Sequence, residues 1–270
     1  MRPDRLRALL DAVAAGRVAP DAAAEQLAGL PYEDLGFARL DHHRMLRRGF
    51  PEVVYGEGKR PQDLAAILKA YEAREMPALV TRLDGTKARA LRRRFPSMTY
   101  HPVARLGFLG PDPGEGVGRV VVISGGTSDG PVAEEAYWTA RYLGARAEYH
   151  PDVGVAGLHR VLDLLPVLRE ARVVVAVAGM EGALPSVAAG LTGALVIGVP
   201  TSVGYGVQEH GKTALFAMLS SCVPGLLVVN VDGGFSAGYA AAVVNNMKEK
   251  KDHHQDTKAT KGGSSPDKRT

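Results

Sequence analysis

The feature that most constrains the fold is a regular alternation of short apolar runs with helical stretches between residues 119 and 247. "GRVVVIS", "ARAEYH", "ARVVVAVAG", "ALVIGVP" and "GLLVVNV" read as strands. Between them lie "GPVAEEAYWTARYLG", "GLHRVLDLLPVLRE", "LPSVAAGLTG" and "GKTALFAMLSSC", and "SAGYAAAVVNNM" closes the series. Continuously apolar runs are those of strands buried on both faces. Parallel strands need crossovers long enough to hold a helix. Five such strands therefore predict a parallel sheet covered on both sides, an α/β fold. Pro166 is expected to bend or interrupt the second helix. Ligands of such sheets gather at the carboxyl ends of the strands, which points to the segments after Ser124, His150, Gly179, Pro200 and Val231.

Ahead of this block, residues 1–108 predict a smaller α/β accessory domain. "RLRALLDAVAAG", "APDAAAEQLAGL" and "LDHHRMLRRG" read as helices; "PEVVYG", "PQDLAAILKAYEARE", "ALVTRL", "TKARALRRRF" and "MTYHPVARLGFL" read as a βαβαβ-like stretch. Gly, Pro and acids cluster over 109–118 as in a linker, the strand–helix block spans 119–247, and 248–270 are too polar to bury and are expected to be disordered. Charge is uneven: the first 105 residues carry +6, residues 106–247 carry −5 and the tail +3. The basic part lacks nucleic-acid-binding motifs, so no nucleic-acid partner is expected. A single cysteine excludes an intramolecular disulfide and fits a reducing compartment. The N-terminus lacks the apolar core of a signal peptide, and no apolar run approaches the roughly 20 residues that span a bilayer. A cytoplasmic protein without a membrane partner is the expectation.

Five stretches have the residue types for chemistry. "SGGTSDG", 124–130, follows a strand and opens a helix, where backbone N–H groups and hydroxyls can meet a phosphate. Ser128 or Asp129 would otherwise simply cap that helix. In "HPDVGVAGLHR", His150 or His159 could do acid–base work or sit at the surface. Glu181 in "AGMEGALP" follows a strongly apolar strand, where a general base would be partly desolvated. "GVPTSVGYGVQEHGKTAL" offers flexible glycines and Lys212, the sole lysine between 106 and 247, as a phosphate or carboxylate contact. Cys222, the chain's one thiol, reads either as a small core residue or as a nucleophile.

"SGGTSDG", "AGLTGALVIGVP" and "FSAGYAAAVV" resemble the signature segments of the PurE family of carboxyaminoimidazole ribonucleotide mutases. The resemblance departs where that family does its chemistry: "HPDVGVAGLHR" replaces its His-Arg-Thr-Pro segment, and Ala183 stands where it has a histidine. The chain is more similar to the LarB family, pyridinium-3,5-biscarboxylic acid mononucleotide synthases of nickel-pincer cofactor assembly. The similarity covers nearly the whole of residues 1–247, through "LPYEDLGFARLDHHRMLRRGFPEVVYGEGK", "SGGTSDGPVAEEA", "DVGVAGLHR", "AGMEGALPSVAAGLTG", "PTSVGYG" and "SSCVPGLLVVNVDGGFSAGYAA".

That resemblance implies a PurE-like, flavodoxin-like parallel-sheet domain behind the N-terminal domain. It implies nicotinic acid adenine dinucleotide as substrate, CO2 or bicarbonate as co-substrate, carboxylation at ring C5 and release of AMP. Cys222 would be the covalent catalyst and Glu181 the base for the C5 proton. Ser124, Gly125, Thr127, Ser128 and Asp129 would hold phosphate or ribose, with His159 and Lys212 beside the substrate. Mg²⁺ would assist phosphoanhydride cleavage, with Asp129 and Asp232 as its ligands. Arg44, Arg47, Lys59 and Arg82 would face the dinucleotide's phosphates. PurE-like domains form octamers, so a homo-oligomer with shared sites is expected. The alternatives are an imidazole-nucleotide carboxylase or mutase and a nucleotide-binding module without catalysis.

Overall fold

The computed structural model describes residues 3–28, 32–50 and 52–259, and the chain divides into two compact units between Asp112 and Pro113. The first unit begins with helices α1 (Pro3–Ala14) and α2 (Pro20–Ala28), a two-stranded antiparallel ribbon of β1 (Glu33–Asp34) and β2 (Arg39–Leu40), and the short α3 (Arg44–Arg48). There follow β3 (Val53–Tyr55), α4 (Pro61–Ala73), β4 (Ala78–Thr81), α5 (Gly85–Arg94), β5 (Thr99–His101) and β6 (Leu106–Leu109).

Strands β3 and β4 are parallel, as a βαβ crossover dictates, but β6 enters antiparallel between β4 and β5, giving the order β3-β4-β6-β5. The single strand read over "MTYHPVARLGFL" is thus a hairpin, because "PVAR" forms the turn. Asp84 starts α5, accepting hydrogen bonds from the N–H groups of Thr86 and Lys87. Leu64, Leu68 and Tyr71 of α4 pack with Val80, Leu83 and Leu91 in the core.

The second unit contains β7 (Val117–Ser124), α6 (Gly130–Tyr142), β8 (Ala145–His150), α7 (Leu158–Asp163), α8 (Leu165–Glu170), β9 (Val173–Ala178), α9 (Leu184–Leu191), β10 (Leu195–Pro200), α10 (Lys212–Leu219), β11 (Leu226–Val228) and α11 (Gly234–Ala259). The five strands are all parallel in the order β8-β7-β9-β10-β11, which is the flavodoxin-like 2-1-3-4-5 arrangement. Pro166 lies in the first turn of α8, where the predicted single helix divides.

The pleat sorts β7 between two cores. Val121 and Ile123 face α7–α10, whereas Val120 and Val122 face α6 and α11. Helix α11 lies so close to α6 that a Cβ on Gly238 would come within 2.3 Å of the Ala136 carbonyl oxygen. The helix also runs on to Ala259, where the sequence predicts disorder from 248. No Gly or Pro lies between Gly238 and Gly262 to end it; residues 260–270 lie outside the described residues. Among the described residues no helix is long and apolar enough to cross a membrane.

Candidate active site

Strand order reverses between β7 and β9, so their following loops diverge and leave a crevice. A cleft of about 390 Å³ occupies it. Its walls are Gly125–Asp129 after β7, Asp152 and Gly154–Ala156 with Arg160 after β8, Ala178–Glu181 with Ala183 and Leu184 after β9, and Val203 after β10. Several close approaches fix the walls. A Cβ on Gly154 would stand 2.5 Å from the Gly125 carbonyl oxygen, and one on Gly179 would stand 2.3 Å from that of Val203. Met180 takes a left-handed φ of 53° to make the turn into α9, and its N–H donates to the Val203 carbonyl at 3.2 Å.

Asp129 ties these loops together. Its carboxylate accepts from the Gly126 N–H at 2.9 Å and from the Thr201 hydroxyl at 2.7 Å. Burial raises its pKa above the usual carboxylate range, while the hydrogen bonds from Thr201, Gly126 and Gly179 pull the other way. The side chain is turned into the protein and gives no side-chain cap to α6, unlike the helix-capping alternative. Ser124 sits fully buried behind the cleft, its hydroxyl 3.1 Å from that of Tyr149.

Of the sequence-predicted site residues, Gly125, Thr127, Ser128, Asp129 and Glu181 meet in this cleft. Glu181 is exposed at its edge, in place of the partial desolvation that the apolar strand before it suggested, because the Met180 turn carries it clear of β9. His159 is exposed and does not line the cleft; its neighbour Arg160 does, and pairs with Asp152 at 2.9 Å. The sequence reading passed over Arg160 and Asp152. The phase of α7 was the available signal, since one residue turns the helix by about 100°.

Lys212 is largely exposed and 3.3 Å from Glu209, also outside the cleft. Cys222 likewise lies elsewhere. Helix α10 ends at Leu219, so the thiol sits exposed in the loop leading to β11 and not on the helix. Ser221 anchors that loop to α9 through a 2.8 Å hydrogen bond from Ser186.

The two carboxylates expected to hold magnesium are each tied to the protein. Both Asp129 oxygens already accept hydrogen bonds, and Asp232 Oδ1 accepts from the Ser202 N–H at 2.8 Å. Among the described residues no group of three or more His, Cys, Asp or Glu side chains could hold a metal.

Comparison with known proteins gives this arrangement a family. The profile of the LarB/PurE-like N-terminal domain matches residues 32–110, and that of AIR carboxylase matches residues 119–262. An uncharacterized protein of Methanocaldococcus jannaschii is 38% identical over 256 residues, which cover 91% of this chain and 98% of that protein. With both domains present in this order on an α/β frame with a five-stranded parallel sheet, the chain belongs to the LarB family of PurE-like carboxylases.

Proposed function

We propose that the protein carboxylates C5 of the pyridinium ring of nicotinic acid adenine dinucleotide and cleaves its phosphoanhydride to release AMP. The product is pyridinium-3,5-biscarboxylic acid mononucleotide, for assembly of a nickel-pincer cofactor. The observation that carries this reading is the charge of the cleft: Asp152 and Glu181 stand against the single guanidinium of Arg160, with the carboxyl of Asp129 turned into the protein behind them. Such a lining favours a cationic ring, while the Gly-Gly-Thr-Ser turn at the start of α6 offers N–H and hydroxyl donors to a phosphate.

A pyridinium C5 is electron-poor and does not attack CO2. Addition of the Cys222 thiolate to a neighbouring ring carbon forms a C–S bond and a neutral dihydropyridine, whose enamine makes C5 nucleophilic. C5 bonds to CO2, Glu181 takes the C5 proton, and departure of the thiolate restores the aromatic cation. Sulfur serves because it both adds and leaves readily. Water then supplies the oxygen that separates AMP from the mononucleotide.

Because Cys222 is not among the lining residues, this reading includes a homo-oligomer, an octamer built through the PurE-like domains. In it, the Ser220–Gly225 loop of one copy serves the cleft of another.

The test is mass spectrometry of the protein incubated with the dinucleotide and ¹³C-bicarbonate, with and without Mg²⁺. A labelled pyridinium dicarboxylate mononucleotide together with AMP is the expected result; unchanged dinucleotide from folded protein removes the reading. The AIR carboxylase match and a cleft without its own thiol favour a second reading, carboxylation of an imidazole nucleotide. That chemistry needs no cysteine, so Cys222→Ser would remain active, whereas the covalent route predicts loss of at least about a thousandfold in kcat.

A further inference from the structure

We infer that the N-terminal unit holds a binding site of its own for a small phosphate ester, at the edge of its sheet where Arg82 and Arg105, in two joined loops, and Lys87, at the start of α5, come together beside the loop that carries Glu57. Three loops meet at this edge. The β3–α4 and β4–α5 loops leave the carboxyl ends of two parallel strands, and the β5–β6 turn reaches the same edge because β6 runs antiparallel to β4. Carboxyl ends of adjacent parallel strands are where α/β sheets collect ligands.

Both arginines occupy left-handed backbone, with φ of 50° at Arg82 and at Arg105, and the Leu83 N–H holds the two loops together through the Arg105 carbonyl at 2.7 Å. Non-glycine residues in that region are strained and concentrate at ligand-binding sites. Lys87 is fastened over the edge by one hydrogen bond to the Gly56 carbonyl at 3.1 Å and an ion pair with Asp84 at 3.4 Å. Gly56 lets the loops close: a Cβ there would stand 2.9 Å from the Thr81 carbonyl oxygen.

Glu57 marks where an anion is favoured. Its carboxyl is held below the ordinary carboxylate range, chiefly by the Tyr55 hydroxyl that donates to it and then by the charges of Arg105, Arg82 and Lys87. The side chain is solvent-exposed, and a phosphate beside it carries more charge and more acceptor oxygens than a carboxylate. Tyr55, 53% exposed beside it, offers a ring face to a base. An adenylate matches both features, and the proposed reaction releases one; only the choice of AMP as ligand rests on that reading.

The experiment is calorimetric titration of the full chain with AMP and, separately, with inorganic phosphate. Arg105→Ala is expected to weaken AMP binding about tenfold, and Glu57→Gln, which removes the resident competitor, to tighten it several-fold. Arg93→Ala, which removes the same charge from an exposed position on α5, is expected to change little. Arg105→Lys is the second variant should the alanine form fail to fold, and a loss of severalfold is expected there too. Failure of the wild-type chain to bind AMP overturns the site, as does equal binding by Arg105→Ala, or weaker binding by Glu57→Gln. None of these readouts needs turnover. A chain that makes the dicarboxylate product but does not bind AMP here sinks the site alone, and one that binds AMP here without making product sinks the proposed reaction alone.

Discussion

Asp129 shows what a single buried carboxylate does for the cleft. Its folded pKa is raised above the 3.8 of an unperturbed aspartate by burial, so at intermediate pH the folded chain holds a proton that the unfolded chain has released. Its contribution to stability therefore grows as pH falls through the folded value towards 3.8 and is smallest at neutral pH. Asn cannot titrate. The stability of the wild type relative to Asp129→Asn is expected to be greater at pH 4 than at pH 7, read by urea unfolding at each pH. A flat or oppositely sloped difference would show that folding does not raise the pKa of this carboxyl. Arg160 acts at the surface of the same cleft, where its pairing with Asp152 leaves it facing the ligand space. Removing it is expected to raise KM for an anionic substrate about tenfold with little change in kcat, measured by steady-state kinetics. A fall confined to kcat would instead mean that the guanidinium acts in the transition state. Arg160 was legible only through the phase of α7, and the exposure of Glu181 was not legible in the sequence. Which of two neighbours, His159 or Arg160, enters a cleft depends on helix phase, and the Met180 turn is set by a tertiary contact with Val203.

At the scale of elements the sequence was far more informative, and the reason is burial. Strands such as Val173–Ala178 are covered on both faces, so every residue is apolar and the pattern cannot be mistaken for a loop. The same logic gave the helical crossovers, the parallel sheet and the segments that would line its carboxyl edge. It gave less in the N-terminal unit, where strands of three and four residues are too short to carry a pattern and the β5–β6 turn has no Asn-Gly or Asp-Gly signature. The polar end of α11 escaped because lack of burial was equated with lack of helix. Close packing between loops was visible only as a surplus of glycine. Gly154 gives that surplus a testable meaning, since a methyl there would press on the Gly125 carbonyl at 2.5 Å. Gly154→Ala is expected to displace the Gly125–Asp129 loop and to cost about 1–3 kcal/mol of stability. It should also lower kcat/KM at least about tenfold. Wild-type activity with wild-type stability would mean that the two loops move apart freely and that their contact does not shape the cleft.

The proposed reaction raises a problem at the scale of the whole molecule: the cleft carries the acids and the Gly-Gly-Thr-Ser turn, while the thiol lies in an exposed loop beyond α9. The surface near that loop is unusually apolar for one facing water. Phe216 and Leu219 on α10 are each 61% exposed, and Leu227 on the edge strand β11 is 57% exposed. Burying such side chains contributes roughly 1.5–3 kcal/mol apiece, and β11 also leaves a strand edge to be covered. A neighbouring copy that covers this face would carry its own cleft towards Cys222, so that acid and thiol in each working site come from different chains. Two inactive variants test this directly. Cys222→Ser retains an intact cleft, and Glu181→Gln retains an intact thiol. Each alone is expected to be inactive. Unfolded together in equal amounts and refolded, they form mixed assemblies in which some clefts with Glu181 meet a loop with Cys222, and activity should return to about a quarter of the wild-type level by random pairing. If thiol and base served the same cleft from one chain, no mixture would recover activity, however completely the subunits exchanged. Phe216→Arg supplies the companion result. A charge at the apolar face should reduce the assembly in sedimentation and abolish turnover while the circular dichroism of the folded chain is retained.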